Sequence, residues 1–225
     1  MRNIGEILKR DSANLEVFFM KLLVMSDIHD NLANMFKVID FANRIRPDLI
    51  VFCGDLVSPF TAVRMSNALS RAIRLIGVWG NTEGDKDTIL QSISENMLFG
   101  TDIIIRQLGG WKSLIFHGLE SVSDTEKIIK SLAKSGDYDI ILFGHIHHAK
   151  IIMVSRQDRS IVTIDVLKEI KTENTPISYE INLDEHIVAI NPGEVCGWLT
   201  NVPTFTLLEL DENNLKATYY RIDKI

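Results

Sequence analysis

The sequence predicts an α/β domain built on two sheets, and three observations carry that expectation. Five short apolar runs, at residues 22–25, 49–53, 73–79, 113–116 and 140–143, alternate mostly with segments of helical spacing, the order of a parallel sheet with crossover helices. Each run stops at a nitrogen or oxygen ligand, and four of those ligands have a glycine beside them. Beyond His148 the pattern changes to short alternating runs at 151–154, 161–165, 177–183, 187–190, 204–209 and 216–222. Such runs suggest a second, antiparallel-rich sheet packed on the first.

Taken in order, residues 1–19 lie outside the periodic pattern and read as an N-terminal extension, either an appended helix or a mis-assigned start ahead of Met20. The domain proper is residues 20–225. Residues 22–25 form the first buried strand, and 32–46 a helix with apolar Leu32, Met35, Phe36, Ile39 and Phe41, stopped by Pro47. Strand 49–53 is followed by a helix over 59–72 capped by Ser58. Strand 73–79 is followed by a helix over 85–97. Residues 103–106 and 111–116 pair as a hairpin around Gly109-Gly110, residues 125–134 are helical, and strand 140–143 closes the first half. Residues 168–175 read as the most loop-like segment, and Asp211 to Asn214 as the turn between the last two strands.

Composition narrows the function classes. With 46% apolar and 24% charged residues the 225-residue chain suits one soluble globular domain. A formal charge of -6 argues against non-specific nucleic-acid binding. No apolar run approaches the ~20 residues of a membrane span. Charged residues from Glu6 to Glu16 break up any secretory-signal core. Two cysteines are too few for a disulfide scaffold, so a reducing cytoplasm is the default and Cys53 a small buried apolar residue.

The strand ends carry the chemistry. They present Asp27-Ile28-His29, Gly54-Asp55, Gly80-Asn81, His117-Gly118 and Gly144-His145-Ile146-His147. Singly, each has a bland reading: a capping aspartate, a turn, a left-handed asparagine, a hydrogen-bonded core histidine. In extended chain, residues i and i+2 share a face, so Asp27 with His29, and His145 with His147, could each grip one cation. Open sheets bind ligands just beyond the carboxyl ends of their strands. Four of the six histidines fall there with two carboxylates and one asparagine. Seven N/O ligands without sulfur are too many for one four-coordinate site and suit two metals sharing a bridging carboxylate, the arrangement that clamps a phosphoryl group.

In this order the five motifs resemble the motif series of calcineurin-like metallophosphoesterases, and Ile190-Asn191-Pro192-Gly193 resembles a segment of the small bacterial and archaeal phosphodiesterase branch. The resemblance covers nearly the whole chain from Met20. It implies a four-layer αββα sandwich of two mixed sheets flanked by helices. It also implies one metal on Asp27, His29, Asp55 and His147, and a second on Asp55, Asn81, His117 and His145, with Asp55 bridging. A metal-bound hydroxide then attacks a small phosphoester in line, while Asn81 and His117 orient the phosphate. The ligand chemistry suits Mn²⁺, Fe²⁺, Ni²⁺ or Zn²⁺ better than Ca²⁺, and the resemblance favours Mn²⁺ and a homo-oligomer.

Two departures stand out. Many members carry a histidine directly after the asparagine to assist the leaving group; here Thr82 follows Asn81. Asp30 and Glu83 are the nearest replacements, although a solvated or supporting role suits both better. His148 reads as a rim residue and His186 as an exposed turn residue. The 148–190 connection, longer than in the small phosphodiesterases, reads as an added hairpin near the site or an oligomer contact. Phosphodiester hydrolysis is the leading expectation. The alternatives are a non-catalytic scaffold resembling the vacuolar-sorting subunit, set against the intact ligand set, and a nuclease, set against the acidic balance and short length.

Overall fold

A computed structural model describes residues 19–172 and 176–225; the expected extension therefore lies, but for Phe19, outside the described residues. The chain forms β1 (Met20–Met25), α1 (Leu32–Ile45), β2 (Leu49–Phe52), α2 (Pro59–Ala68), β3 (Leu75–Val78), α3 (Lys86–Ser92) and β4 (Met97–Thr101). It continues with β5 (Ile103–Leu108), β6 (Trp111–Phe116), α4 (Val122–Ser135), β7 (Ile140–Phe143), β8 (Lys150–Ser155), β9 (Ile161–Ile164) and α5 (Val166–Thr172). The last strands are β10 (Ile177–Asn182), β11 (His186–Asn191), β12 (Thr204–Leu210) and β13 (Asn214–Arg221).

Two mixed sheets result, ordered β10-β13-β12-β1-β2-β3-β4 and β5-β6-β7-β11-β8-β9. Strand alternation explains the layering. In β1 and β2, Leu22, Val24, Leu49 and Val51 enter a core shared with Ile115, Ile140 and Leu142 of the other sheet. The alternate residues Leu23, Met25, Ile50 and Phe52 pack outward on Met35, Val38, Ile39 and Ala42 of α1 and on Ala62 and Met65 of α2. On the far side Leu114, Phe116, Ile141 and Phe143 pack on Ile129 and Ala133 of α4. The four layers are helix, sheet, sheet, helix.

Local chemistry sets the helix ends. Asn31 Oδ1 accepts from Asn34 N at 3.2 Å, Ser58 Oγ from Thr61 N at 3.3 Å, and Ser121 Oγ from Asp124 N at 3.0 Å. The Ser121 cap starts α4 three residues before the expected position.

Three expectations need correction. The helix expected over 85–97 stops at Ser92, and Met97–Thr101 is a strand paired parallel to β3. Its alternation, Met97 and Phe99 buried with Leu98 exposed, is a strand signal within a segment that also allows helical spacing. The two halves of the chain are not the two sheets: β12 pairs antiparallel with β1, and β11 pairs parallel with β7. Residues 166–172 are helical rather than loop, with Val166, Leu167 and Ile170 buried; 173–175 lie outside the described residues.

The long 148–190 connection is likewise neither a separate hairpin nor an appendage. β8 and β9 extend the second sheet, and β10 crosses to the outer edge of the first. Its Arg156 donates to Asp139 and to the Leu183 carbonyl, at the amino end of β7 and so opposite the carboxyl-end motifs.

Candidate metal centre

The seven expected residues all arrive at the carboxyl ends of β1, β2, β3, β6 and β7, and they meet. His29 Nε2 lies 3.3 Å from Asp55 Oδ2 and 3.8 Å from Asp27 Oδ1. His117 Nε2 lies 3.4 Å from the same Asp55 oxygen, and His147 Nε2 lies 3.3 Å from Asp27 Oδ1. Asn81 Oδ1 is 3.0 Å from both His117 Nε2 and His145 Nδ1. Asp55 Oδ2 thus stands between His29 and His117, the position of a carboxylate able to bridge two cations.

Convergence does not come from extended backbone. Asp27, His29, Asp55, His145 and His147 all have positive φ, between 42° and 68°. The i and i+2 pairs therefore do not share a strand face, and His145 and His147 diverge, one to Asn81 and the other to Asp27. Left-handed conformations of non-glycine residues cost about 1–2 kcal/mol each, and such strain gathers at functional sites. The neighbouring glycines serve mostly for close approach. A Cβ on Gly80 would stand 2.1 Å from Asp55 Oδ1, and one on Gly144 2.1 Å from Ser26 Oγ.

Asp27, Asp55, His117 and His147 are each tied by one atom and present the other to the cluster. Asp27 Oδ2 accepts from His145 N at 3.2 Å, and Asp55 Oδ1 from Thr82 N at 3.0 Å. His117 Nδ1 donates to the Cys53 carbonyl at 2.7 Å, which leaves Nε2 toward the oxygens of Asn81 and Asp55: protonated it donates to them, and deprotonated it offers its lone pair to a cation. Asp27 Oδ1 and His29 Nε2 are buried with no hydrogen-bond partner among the described residues. Buried polar atoms left unsatisfied are unfavourable, and a cation between these two would satisfy both. The donor set fits a divalent N/O-ligated metal.

Protonation follows the same field. Burial opposes charge on His117, but hydrogen bonding to Asp55 and the charges of Asp27 and Asp55 raise its pKa to about 9 in the cation-free protein. Burial pushes the Asp55 carboxyl up; hydrogen bonding and charge from His117 and hydrogen bonds from Thr82 outweigh it and lower the pKa. His145, half-buried and facing His117, is lowered.

Glu194 is the residue that the sequence reading missed, one position beyond the Ile190-Asn191-Pro192-Gly193 segment. Fully buried, it takes His147 Nδ1 at 2.7 Å, Cys196 Sγ at 2.9 Å, Thr200 N at 2.6 Å and Thr200 Oγ1 at 2.7 Å. Burial pushes its carboxyl up, yet the bonds from His147, Cys196 and Thr200 hold it down at about 2. His147, Glu194 and Cys196 lie close enough to hold a metal themselves. Their polar atoms are already satisfied by one another, and burial with the Glu194 hydrogen bond pushes the Cys196 thiol well up. A support for His147 is the better reading. Asn191 also belongs here, donating to the Gly144 carbonyl at 2.8 Å and so fixing the histidine loop.

The other candidates take structural roles. Asp30 Oδ1 accepts from Ser58 Oγ at 2.8 Å and Thr61 Oγ1 at 2.5 Å at the start of α2. Glu83 accepts from Leu56 N at 3.1 Å and Gly80 N at 2.7 Å, stapling the loops after β2 and β3. Both carboxylates thus hold loop backbone or helix-start groups in place. His148 pairs with Asp165 at 2.6 Å at the rim, and His186 is half-buried at the start of β11.

A family model described as the calcineurin-like phosphoesterase superfamily domain matches residues 20–213. The chain is 27% identical over 200 residues to phosphodiesterase MJ0936 of Methanocaldococcus jannaschii, covering 88% of this chain and 97% of that protein. A solved archaeal phosphodiesterase superposes with a TM-score of 0.59 at 26% identity, over 85% of this chain and 99% of the other. Vps29 of Entamoeba histolytica, at 18% identity and TM-score 0.55 over 90% and 92% of the two chains, shares the fold. The chain belongs to the calcineurin-like phosphoesterase superfamily and is a hydrolase of phosphoester bonds.

Proposed function

We propose that the protein is a dinuclear metal-dependent phosphodiesterase, with Asp27, His29, Asp55 and His147 holding one cation and Asp55, Asn81, His117 and His145 the other. The observation that carries this is the convergence of the seven side chains, with Asp27 Oδ1 and His29 Nε2 buried and unpartnered among the described residues. When bound, two divalent cations supply Lewis acidity toward the phosphoryl oxygens and an acidified water as nucleophile. The chain's own residues do the rest. Cys53 and Glu194 fix the tautomers of His117 and His147. Thr82 and the backbone of His145 hold the two carboxylates in register. Asn81 and His117 border the substrate side and orient the phosphate.

Phosphodiester rather than monoester substrates are supported by the two phosphodiesterase relatives. With Thr82 after Asn81 in place of a histidine, and with both Glu83 oxygens engaged by backbone amides, esters with good leaving groups are favoured. Mn²⁺ in a reducing cytoplasm is the proposed setting, and both cysteines are free. The test is hydrolysis of bis(p-nitrophenyl) phosphate by metal-stripped protein with Mn²⁺, Ni²⁺, Zn²⁺ or Mg²⁺ restored. Mn²⁺-dependent turnover with diester preferred to monoester supports the reading, and metal-independent or absent turnover refutes it.

A further inference from the structure

A cleft of about 270 Å³ opens beside Asn81 and His117, walled by the apolar side chains of Trp79, Ile103, Phe116 and Leu119. The fold creates it where the two sheets part. β4 is the last strand of one sheet, β5 the first of the other, and Asp102 the single residue between them. Trp79 N donates to the Thr101 carbonyl at 3.0 Å, tying the loop after β3 to the end of β4. The Trp79 ring packs on Phe99 at 5.6 Å, and Phe116 pairs with Ile103 across the ladder, so two walls are fixed. The other two are open to solvent: Ile103 is 53% and Leu119 44% exposed. Single exposed aliphatics need no explanation. Here they share one concavity with two aromatics, and the same cleft is lined by Asn81 and His117 of the candidate metal centre.

We infer that this cleft is the subsite for one ester group of the substrate, and that it selects a flat or branched, uncharged apolar group of aryl or nucleobase size. The inference rests on the phosphoesterase reading of the adjoining centre. Its volume falls just below the range of whole-ligand pockets, about 300–1,000 Å³, so it suits one substituent while the phosphoryl group stays with Asn81 and His117. Asp102 closes the rim with an exposed carboxylate and disfavours a substituent carrying a second negative charge.

Non-hydrolysable phosphonates test this without turnover. Titration calorimetry on the Mn²⁺-loaded protein compares phenylphosphonate with methylphosphonate, in wild type and in an Ile103→Ser/Leu119→Ser double variant. Both residues are solvent-exposed and outside the ligand set, so folding is not at stake. Wild type should bind the phenyl compound about 10-fold or more tightly, the discrimination an apolar pocket supplies for a few carbons. The double variant should lose that preference and keep its methylphosphonate affinity. 4-Carboxyphenylphosphonate should bind less tightly than phenylphosphonate, and Asp102→Asn should recover the loss. Equal affinity for phenyl and methyl in wild type, or a phenyl preference that survives the double substitution, overturns the subsite. If neither phosphonate nor inorganic phosphate binds the loaded protein, the phosphoesterase reading itself fails and the subsite falls with it.

Discussion

Glu194→Gln separates a support for the metal centre from a mere filler of the core. The carboxylate receives donors on both oxygens: His147 and Cys196 on Oε2, Thr200 N and Oγ1 on Oε1, and Leu199 N on each. An amide in either flip turns an NH₂ toward donors and removes the charge. Facing that NH₂, His147 would move its proton to Nε2, the atom that now looks at Asp27. Loss of such a carboxylate–histidine contact typically costs 10- to 100-fold in metal affinity. The stability effect is also calculable. A pKa held from 4.5 down to about 2 corresponds to roughly 3 kcal/mol of native-state preference for the charged form. A lowered folded-state pKa gives stability that is complete above the unfolded value near 4.5 and is lost as pH falls toward 2. Glu194→Gln should therefore lower the melting temperature of metal-free protein by roughly 6–12 °C at pH 7, taking about 2–4 °C per kcal/mol for this size. The gap to wild type should shrink as pH falls from 4.5 toward 2. Melting curves across pH, with Mn²⁺ calorimetry and ¹⁵N tautomer assignment of His147, read all three effects. A variant with wild-type metal affinity and an unchanged His147 tautomer would refute the reasoning.

Other perturbations follow from the same geometry. Gly80→Ala puts a Cβ 2.1 Å from Asp55 Oδ1, and displacing this carboxylate, the proposed bridge, should lower kcat/KM by on the order of 100-fold while circular dichroism stays native. Glu83→Ala leaves the Leu56 and Gly80 amides without their acceptor and should destabilise by about 1–3 kcal/mol in denaturant titration. Adding Mn²⁺ at 100 times its dissociation constant should stabilise the native state by about 2.7 kcal/mol per site, and Asp27→Asn should reduce the gain in thermal melts.

Much of this was legible because periodicity and chemistry coincide at the strand ends. The runs before Asp27, Asp55, Asn81, His117 and His145 are buried on both faces, which makes them continuous rather than alternating. The seven polar residues stood out as a set, because the turn, cap and core readings open to each one singly do not account for all of them falling at strand ends. What the sequence hid was non-local. Pairing of β12 with β1, and of β11 with β7, depends on contacts across long separations that no local pattern encodes. Left-handed backbone at Asp27 and His147 is imposed by hydrogen bonds such as Asp27 N to the Gly54 carbonyl at 2.9 Å, against the residues' own preference. Glu194 was hidden for the same reason. Its partner His147 is 47 positions away, and only its place after Asn191-Pro192-Gly193 marked it.

The most direct test of the central claim is metal stoichiometry and turnover measured together, with wild type and Asp55→Asn side by side. Asp55 Oδ2 stands between His29 and His117, so its conversion to an amide should break the link between the two cation sites. Wild type should hold two Mn²⁺ per chain and cleave bis(p-nitrophenyl) phosphate only with Mn²⁺ present, and Asp55→Asn should lose both the second ion and the turnover. Two tightly bound ions with no cleavage under any metal would contradict the claim and favour a metal-binding scaffold on the same fold.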